Sequence, residues 1–259
     1  MTERWADGAD VGRANVARVY DFLLGGSHNF EADREMARRV IATAGDAAKV
    51  ARANRAFLRR AMGELGKAGV RQYLDIGAGI PTVGNTHEVA VPGAKVVYVD
   101  HDPVAVAHAQ VLLAEDANTV AVEGDLREPD LLLAMAEATG LLDFGEPVGV
   151  LMLAVLPFLT DEERPGEAVA HLRDAVAPGS YVVLSHGASD AMAPEGVQEL
   201  YKKRATSTIT LRTKDQVAGF LDGWEVQEPG VVWLPAWRPD EEPADPAASM
   251  MYGAMGRKA

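Results

Sequence analysis

Cysteine is absent from all 259 residues. That excludes disulfides, thiolate nucleophiles and cysteine-ligated zinc or iron–sulfur centres, and it agrees with a reducing compartment. Also missing is any run near the roughly 18 uninterrupted apolar residues that a membrane helix needs. The opening MTERWADGAD is acidic and polar where an export signal would be basic and then apolar. The expectation is a cytoplasmic protein with no membrane association. The six histidines show no HExxH or other metal-ligand spacing, so no metal is expected. Positive charge is scarce beyond the first quarter: residues 1–71 carry 13 Lys/Arg against 9 Asp/Glu, the remainder 12 against 29. An acidic body repels a phosphate backbone, which argues against a nucleic-acid partner. The basic triplet Lys202-Lys203-Arg204 reads as the solvated end of a helix.

What is present is enough apolar sequence, 48%, for a full core. Residues 1–10 read as a loose tail, and no internal repeat follows. A helix is expected over 10–24, with Asp10 as N-cap, Val16, Val19, Tyr20 and Leu23 on one face, and Gly25-Gly26 as its stop. Two more follow over about 30–44 and 47–66. After Gly69 the pattern changes to short β-branched runs alternating with helical stretches. The expected strands are Gln72–Ile76, Lys95–Asp100, Thr119–Glu123, Val148–Val155 and Ser180–Ser185, with helices such as Pro103–Ala117 and Asp161–Val176 between them. This alternation predicts βαβ units and a parallel sheet. Trp224–Leu234 and Ser249–Met255, joined by the proline- and acid-rich loop Pro235–Pro246, predict a closing antiparallel hairpin. The fold class is therefore α/β: a doubly wound, mostly parallel sheet of seven strands over 71–259. A helical lead-in or lid over 1–70 precedes it.

In such sheets ligands sit beyond the carboxyl ends of the strands, so those ends can be read as a candidate site. The first ends Asp75-Ile76-Gly77-Ala78-Gly79, whose glycines allow backbone to approach a ligand. The third glycine of a dinucleotide-binding G-x-G-x-x-G is replaced by Thr82 after Pro81, which disfavours a bound pyrophosphate. The second strand ends in Asp100, placed to accept from both hydroxyls of an adenosine ribose. The bland alternative is a helix cap, which explains one of Asp100 and Asp102 but not both. The third ends Glu123-Gly124-Asp125-Leu126, where Asp125 can accept from an adenine amine while Leu126 packs on the ring. Each feature has an ordinary structural reading, but their order is more specific than any member. A pyrophosphate would meet three carboxylates with no arginine to offset them. S-adenosylmethionine, with a sulfonium and an ammonium and no phosphate, suits them better.

The segments DIGAGIPT, VVYVDHDPVAVAHAQVLLA and EGDLREP resemble the Rossmann-like S-adenosylmethionine-dependent methyltransferases. NVARVYDFLLGGSHNFEADRE at 15–35 resembles, more narrowly, the opening of an actinobacterial family of S-adenosyl methyltransferases. The similarity extends through NRAFLRRA, GNTHEVA, LSHGASD and PGVVWLPAWRPD. It implies that Asp75, Gly77 and Gly79 line the methionine and ribose part of the cofactor, that Asp100 meets the ribose, and that Asp125 and Leu126 meet adenine. One departure is Leu156-Pro157-Phe158, where Leu-His-Phe is the expected pattern. Tyr20 and Gly26 are added as cofactor contacts on the expectation that the lead-in folds over the strand ends. The bland reading makes Gly25-Gly26 only a helix stop. His28, His186 and Tyr20 are the candidates for a proton acceptor. A small-molecule acceptor is expected. The rivals are a nicotinamide-dependent reductase, which the absent Tyr-x-x-x-Lys pair weakens, a cofactor-binding partner protein without catalysis, and a nucleic-acid methyltransferase.

Overall fold

The computed structural model describes residues 11–81, 84–191 and 194–259. Three helices lead: α1 (Val16–Leu23), α2 (Glu31–Ala44) and α3 (Ala47–Lys67). Strands and helices then alternate through β1 (Gln72–Ile76), α4 (Thr86–Val89), β2 (Lys95–Asp100), α5 (Pro103–Leu113), β3 (Thr119–Glu123), α6 (Pro129–Ala138), β4 (Gly149–Leu153), α7 (Pro165–Ala175) and β5 (Tyr181–Gly187). The chain finishes with α8 (Pro194–Arg204), α9 (Lys214–Gly219), β6 (Glu225–Val226), β7 (Val232–Trp233) and β8 (Met251–Arg257).

The sheet runs β3-β2-β1-β4-β5-β8-β6, with β7 also paired to β8. β1 to β5 are mutually parallel, and β8 is antiparallel to β5, β6 and β7. The order reverses at β1, whose neighbours are β2 and β4, and this switch opens a crevice at the carboxyl ends. Strands such as Val96–Asp100 are buried on both faces, which is why they read as continuous apolar runs and not as alternating ones. One face carries Leu74, Val97, Val99 and Met152 against α6, α7 and α9. The other carries Tyr73, Val96, Leu151 and Val183 against α3 and α5. A third cluster, built by Val19, Met36, Val40 and Tyr201, joins α1 and α2 to α8.

Several expected boundaries move, each for a local reason. The first helix begins at Val16, because Asn15 caps it by accepting from the Ala17 and Arg18 amides. Asp10, the expected cap, lies outside the described residues, as do the tail 1–10 and Thr82. β4 stops at Leu153 because Ala154 adopts a left-handed conformation (φ 59°). The segment 161–176 is broken at Arg164, also left-handed. Pro165 disfavours helical geometry in the residue before it and then opens α7 as its first residue. The strand expected over 224–234 is two short ones separated by a turn in which the Gly230 amide donates to the Gln227 carbonyl. Pro229 in that turn cannot donate to a ladder. Among the described residues no helix is long and apolar enough to cross a membrane.

Candidate functional site

The carboxyl ends of β1, β2, β3 and β4 open into one cavity of about 700 Å³, bounded above by α1 and on its far side by α8 and the segment 206–211. Asp75, Gly77, Gly79, Asp100, Asp125, Leu126 and Tyr20 all line it. Gly26, His28 and His186 do not. The sequence therefore brings seven of its candidate positions together and leaves three outside.

The glycine turn is built for close approach. Gly77 has φ 70°, and a Cβ there would lie 2.4 Å from the Val155 side chain. Its amide donates to the Val99 carbonyl, tying the turn to β2. Gly79, at φ 65°, donates its amide to Asp100 Oδ2 at 2.7 Å. The other Asp100 oxygen accepts from the Asp102 amide. Asp102 is the cap of α5, accepting from the Val104 amide, and its second oxygen accepts from Asn15 Nδ2 at 2.6 Å. The two aspartates divide the work: one caps a helix, while the other holds the glycine turn open from the end of β2. The Asp100 carboxylate also raises the His101 imidazole above its ordinary pKa, against the opposing effect of burial.

Asp75 is buried, accepts from the Thr86 hydroxyl at 2.6 Å, and is pushed up by desolvation to about 6. Two arginines that the sequence reading missed stand in the same cavity, contrary to the expectation that none would offset the acids. Arg55, from α3, lies 5.6 Å from the Tyr20 ring centre, and its field partly opposes the rise at Asp75. Its Nε is buried and makes no hydrogen bond. Arg127 grips Asp125 through both oxygens and reaches Glu163 at 3.1 Å. Burial works to raise the Asp125 carboxyl, but the Arg127 bonds outweigh it and hold the pKa below the ordinary value. The cavity remains acid-rich, with Asp75, Asp100, Asp102, Asp125 and Glu163 against two arginines. Arg127 stands two residues beyond Asp125 and was legible in principle. Arg55 arrives from a helix that no strand-end reading covers.

Tyr20 accepts from Asn54 Nδ2 at 3.1 Å, and Asn54 in turn accepts from the Ser185 hydroxyl. Burial raises the Tyr20 phenol, against the neighbouring Arg55 charge. Gly26 packs instead against Asp21, whose carboxylate receives the His28 amide and the Asn29 side chain. The His28 ring lies 4.1 Å from that of His108. His186 is fully buried: its Nδ1 donates to the Gly187 carbonyl, and its Nε2 accepts from Arg212 at 3.0 Å. Desolvation lowers its pKa to about 4, so above that pH it is a neutral structural link.

A left-handed glycine turn at the strand end, a cavity lined by carboxylates that suit a cation, and a volume in the usual range for small-molecule pockets fit an adenosyl sulfonium compound. The comparisons with known proteins agree. The family model described as S-adenosyl methyltransferase matches residues 3–259. A solved structure of a candidate methyltransferase from Thermobifida fusca is 35% identical, with a TM-score of 0.90 over 96% of both chains. A DUF574 family protein from Streptomyces avermitilis is 36% identical, with a TM-score of 0.88 over 96% of this chain and 99% of that one. The magnesium protoporphyrin IX methyltransferase of Synechocystis, solved with S-adenosylhomocysteine, shares the fold at 14% identity, with a TM-score of 0.55 over 93% of both chains. The curated proteins yield no match. The chain belongs to the S-adenosyl methyltransferase family, its fold is Rossmann-like, and its cofactor is S-adenosylmethionine.

Proposed function

We propose that this protein transfers a methyl group from S-adenosylmethionine to a small molecule, with the cofactor lying along the ends of β1, β2 and β3. The observation that carries the reading is the convergence of Asp75, Gly77, Gly79, Asp100, Asp125 and Leu126 on one cavity. Asp75 takes the ammonium group, and the Arg55 guanidinium, whose Nε has no partner, takes the methionine carboxylate, a pairing of opposite charges that burial strengthens. Asp100 accepts from the ribose hydroxyls while Gly77 and Gly79 present bare backbone beneath them. Leu126 packs on the adenine, and Asp125 accepts from its amine once Arg127 shares or yields an oxygen.

When bound, S-adenosylmethionine supplies an electrophilic methyl on a sulfonium. The protein aligns an acceptor with it and excludes water. The α1 helix serves as the lid. Asn15 links it to the Asp102 loop, and its own amide donates to Asp33 Oδ1, whose other oxygen pairs with buried Arg18 at 2.8 Å. A cavity covered in this way favours a small acceptor over a polymer. Neither His28 nor His186 borders it, so a proton leaving the acceptor passes to water, to Asp75 or to His101.

Calorimetric titration with S-adenosylmethionine, S-adenosylhomocysteine and NADH, repeated on Asp100→Ala, tests the cofactor site. Micromolar binding of the first two, lost in the variant, is expected. Preference for NADH, or unchanged affinity in the variant, would refute the assignment.

A further inference from the structure

The cavity, at about 700 Å³, extends past the strand ends to α2, α8 and the segment 206–211. Its two halves differ in chemistry. All five acids and both arginines lie on the strand-end side or on α3. Among the described lining residues, α1, α2, α8 and the segment 206–211 contribute no charged side chain, and the wall is made by groups such as Leu23, Val40, Val197 and Ile209. Uncharged hydroxyl-bearing residues interrupt it: Tyr20, Tyr201, Thr206, Ser207 and Thr208. Tyr201 of α8 is 8% exposed, its ring lies 6.0 Å from that of Phe158, and its hydroxyl has no hydrogen-bond partner among the described residues.

We propose that the methyl acceptor is an uncharged, largely apolar small molecule seated against this wall, with one oxygen or nitrogen hydrogen-bonded to the Tyr201 hydroxyl. The inference rests on the preceding reading that S-adenosylmethionine fills the strand-end half. A charged acceptor would lose its hydration with no counter-charge on this wall. A hydroxyl on a cavity wall with no protein partner is met by a ligand or by water. Burial pushes the Tyr201 phenol to about 12, so it serves as a neutral hydrogen-bonding group and fixes which end of the acceptor turns away from the cofactor. The apolar wall selects by shape, and the hydroxyl selects by orientation.

The test is calorimetry on the full chain saturated with S-adenosylhomocysteine, using 1-naphthol and 1-naphthoate as probes of nearly equal size. The neutral probe should bind, and the anion at least about tenfold more weakly. Tyr201→Phe should weaken 1-naphthol about fivefold, the worth of one neutral hydrogen bond, and leave the nucleoside affinity unchanged. Val197→Trp, which fills the wall, should abolish naphthol binding with the nucleoside still bound. Naphthoate binding as tightly as naphthol, no naphthol binding to the nucleoside complex, or an unchanged naphthol affinity in Tyr201→Phe would overturn the inference. Failure of S-adenosylhomocysteine to bind the wild type would instead remove the cofactor reading, and this inference with it.

Discussion

Replacing Asp75 with asparagine should make the cofactor-free protein more stable at neutral pH and a poorer binder of S-adenosylmethionine. The carboxyl has a folded-state pKa of about 6 against an ordinary 3.8, chiefly through burial. Ionising it inside the folded protein therefore costs about 3 kcal/mol relative to the unfolded chain. Below pH 3.8 the group is protonated in both states and the cost is absent. It grows as pH rises through the window between the two values and is complete above 6. Between pH 5 and pH 8 the wild type should lose about 1 kcal/mol of unfolding free energy that the asparagine variant keeps. Urea denaturation of both proteins at several pH values, read as the difference between them, cancels every other titrating group. The cofactor reverses the preference, because an ammonium favours the ionised carboxylate. Wild-type affinity should fall about tenfold from pH 7 to pH 5, with proton release on binding at pH 5, and the variant's weaker affinity should be flat. A stability difference that does not change with pH would refute the burial argument. A pH-independent wild-type affinity would refute the role given to Asp75.

Asn15→Ala removes both the cap of α1 and its bond to Asp102. It should cost about 1–2 kcal/mol in thermal unfolding and weaken the cofactor more than it weakens the fold. If Gly26 were a cofactor contact, Gly26→Val would weaken cofactor binding with little loss of melting temperature. The structure predicts the reverse, since a Cβ there would sit 2.0 Å from Asp21 Oδ1. Calorimetry and melting curves should show about 1–3 kcal/mol of lost stability with cofactor affinity kept by the folded fraction. His186→Phe leaves the buried Arg212 without one acceptor and should cost about 1–3 kcal/mol. Because the imidazole stays neutral above about pH 4, the rate profile between pH 6 and 9 should be the same with and without it.

The strands that frame the site were legible almost to the residue. Gln72–Ile76 and Lys95–Asp100 are largely apolar runs buried on both faces and ending at glycine or acid, and the edge strand Thr119–Glu123 alternates buried and half-buried residues up to its acid. The acids at their ends followed from the fold, because a parallel sheet delivers every carboxyl end to one side. What escaped the sequence depends on contacts between distant segments. No local signal distinguishes Asn15 from Asp10 as a cap until Asp102 is brought beside it. Tyr201 and Arg55 reach the cavity only because their helices pack over it. His186, at the end of β5, stood where a site residue belongs, but its ring turns into the protein to meet Arg212. A strand end fixes where a side chain starts and not where it points.

β8 follows every other described strand in sequence but is an interior strand in space. Met251–Arg257 threads between β5 on one side and β6 and β7 on the other, and Lys258 clamps the carbonyls at the end of α7. Met250 and Met251 border the cavity that α1 roofs from the other end of the chain. During synthesis, the β1–β5 half can emerge with its glycine turn and acids complete and still lack a closed pocket. The edge of β5 stays open until β8 has been made and paired with it, and until then it is a surface on which chaperones or another chain can act. Closure of the cofactor pocket therefore waits on β8, after the glycine turn and the acids are already in place.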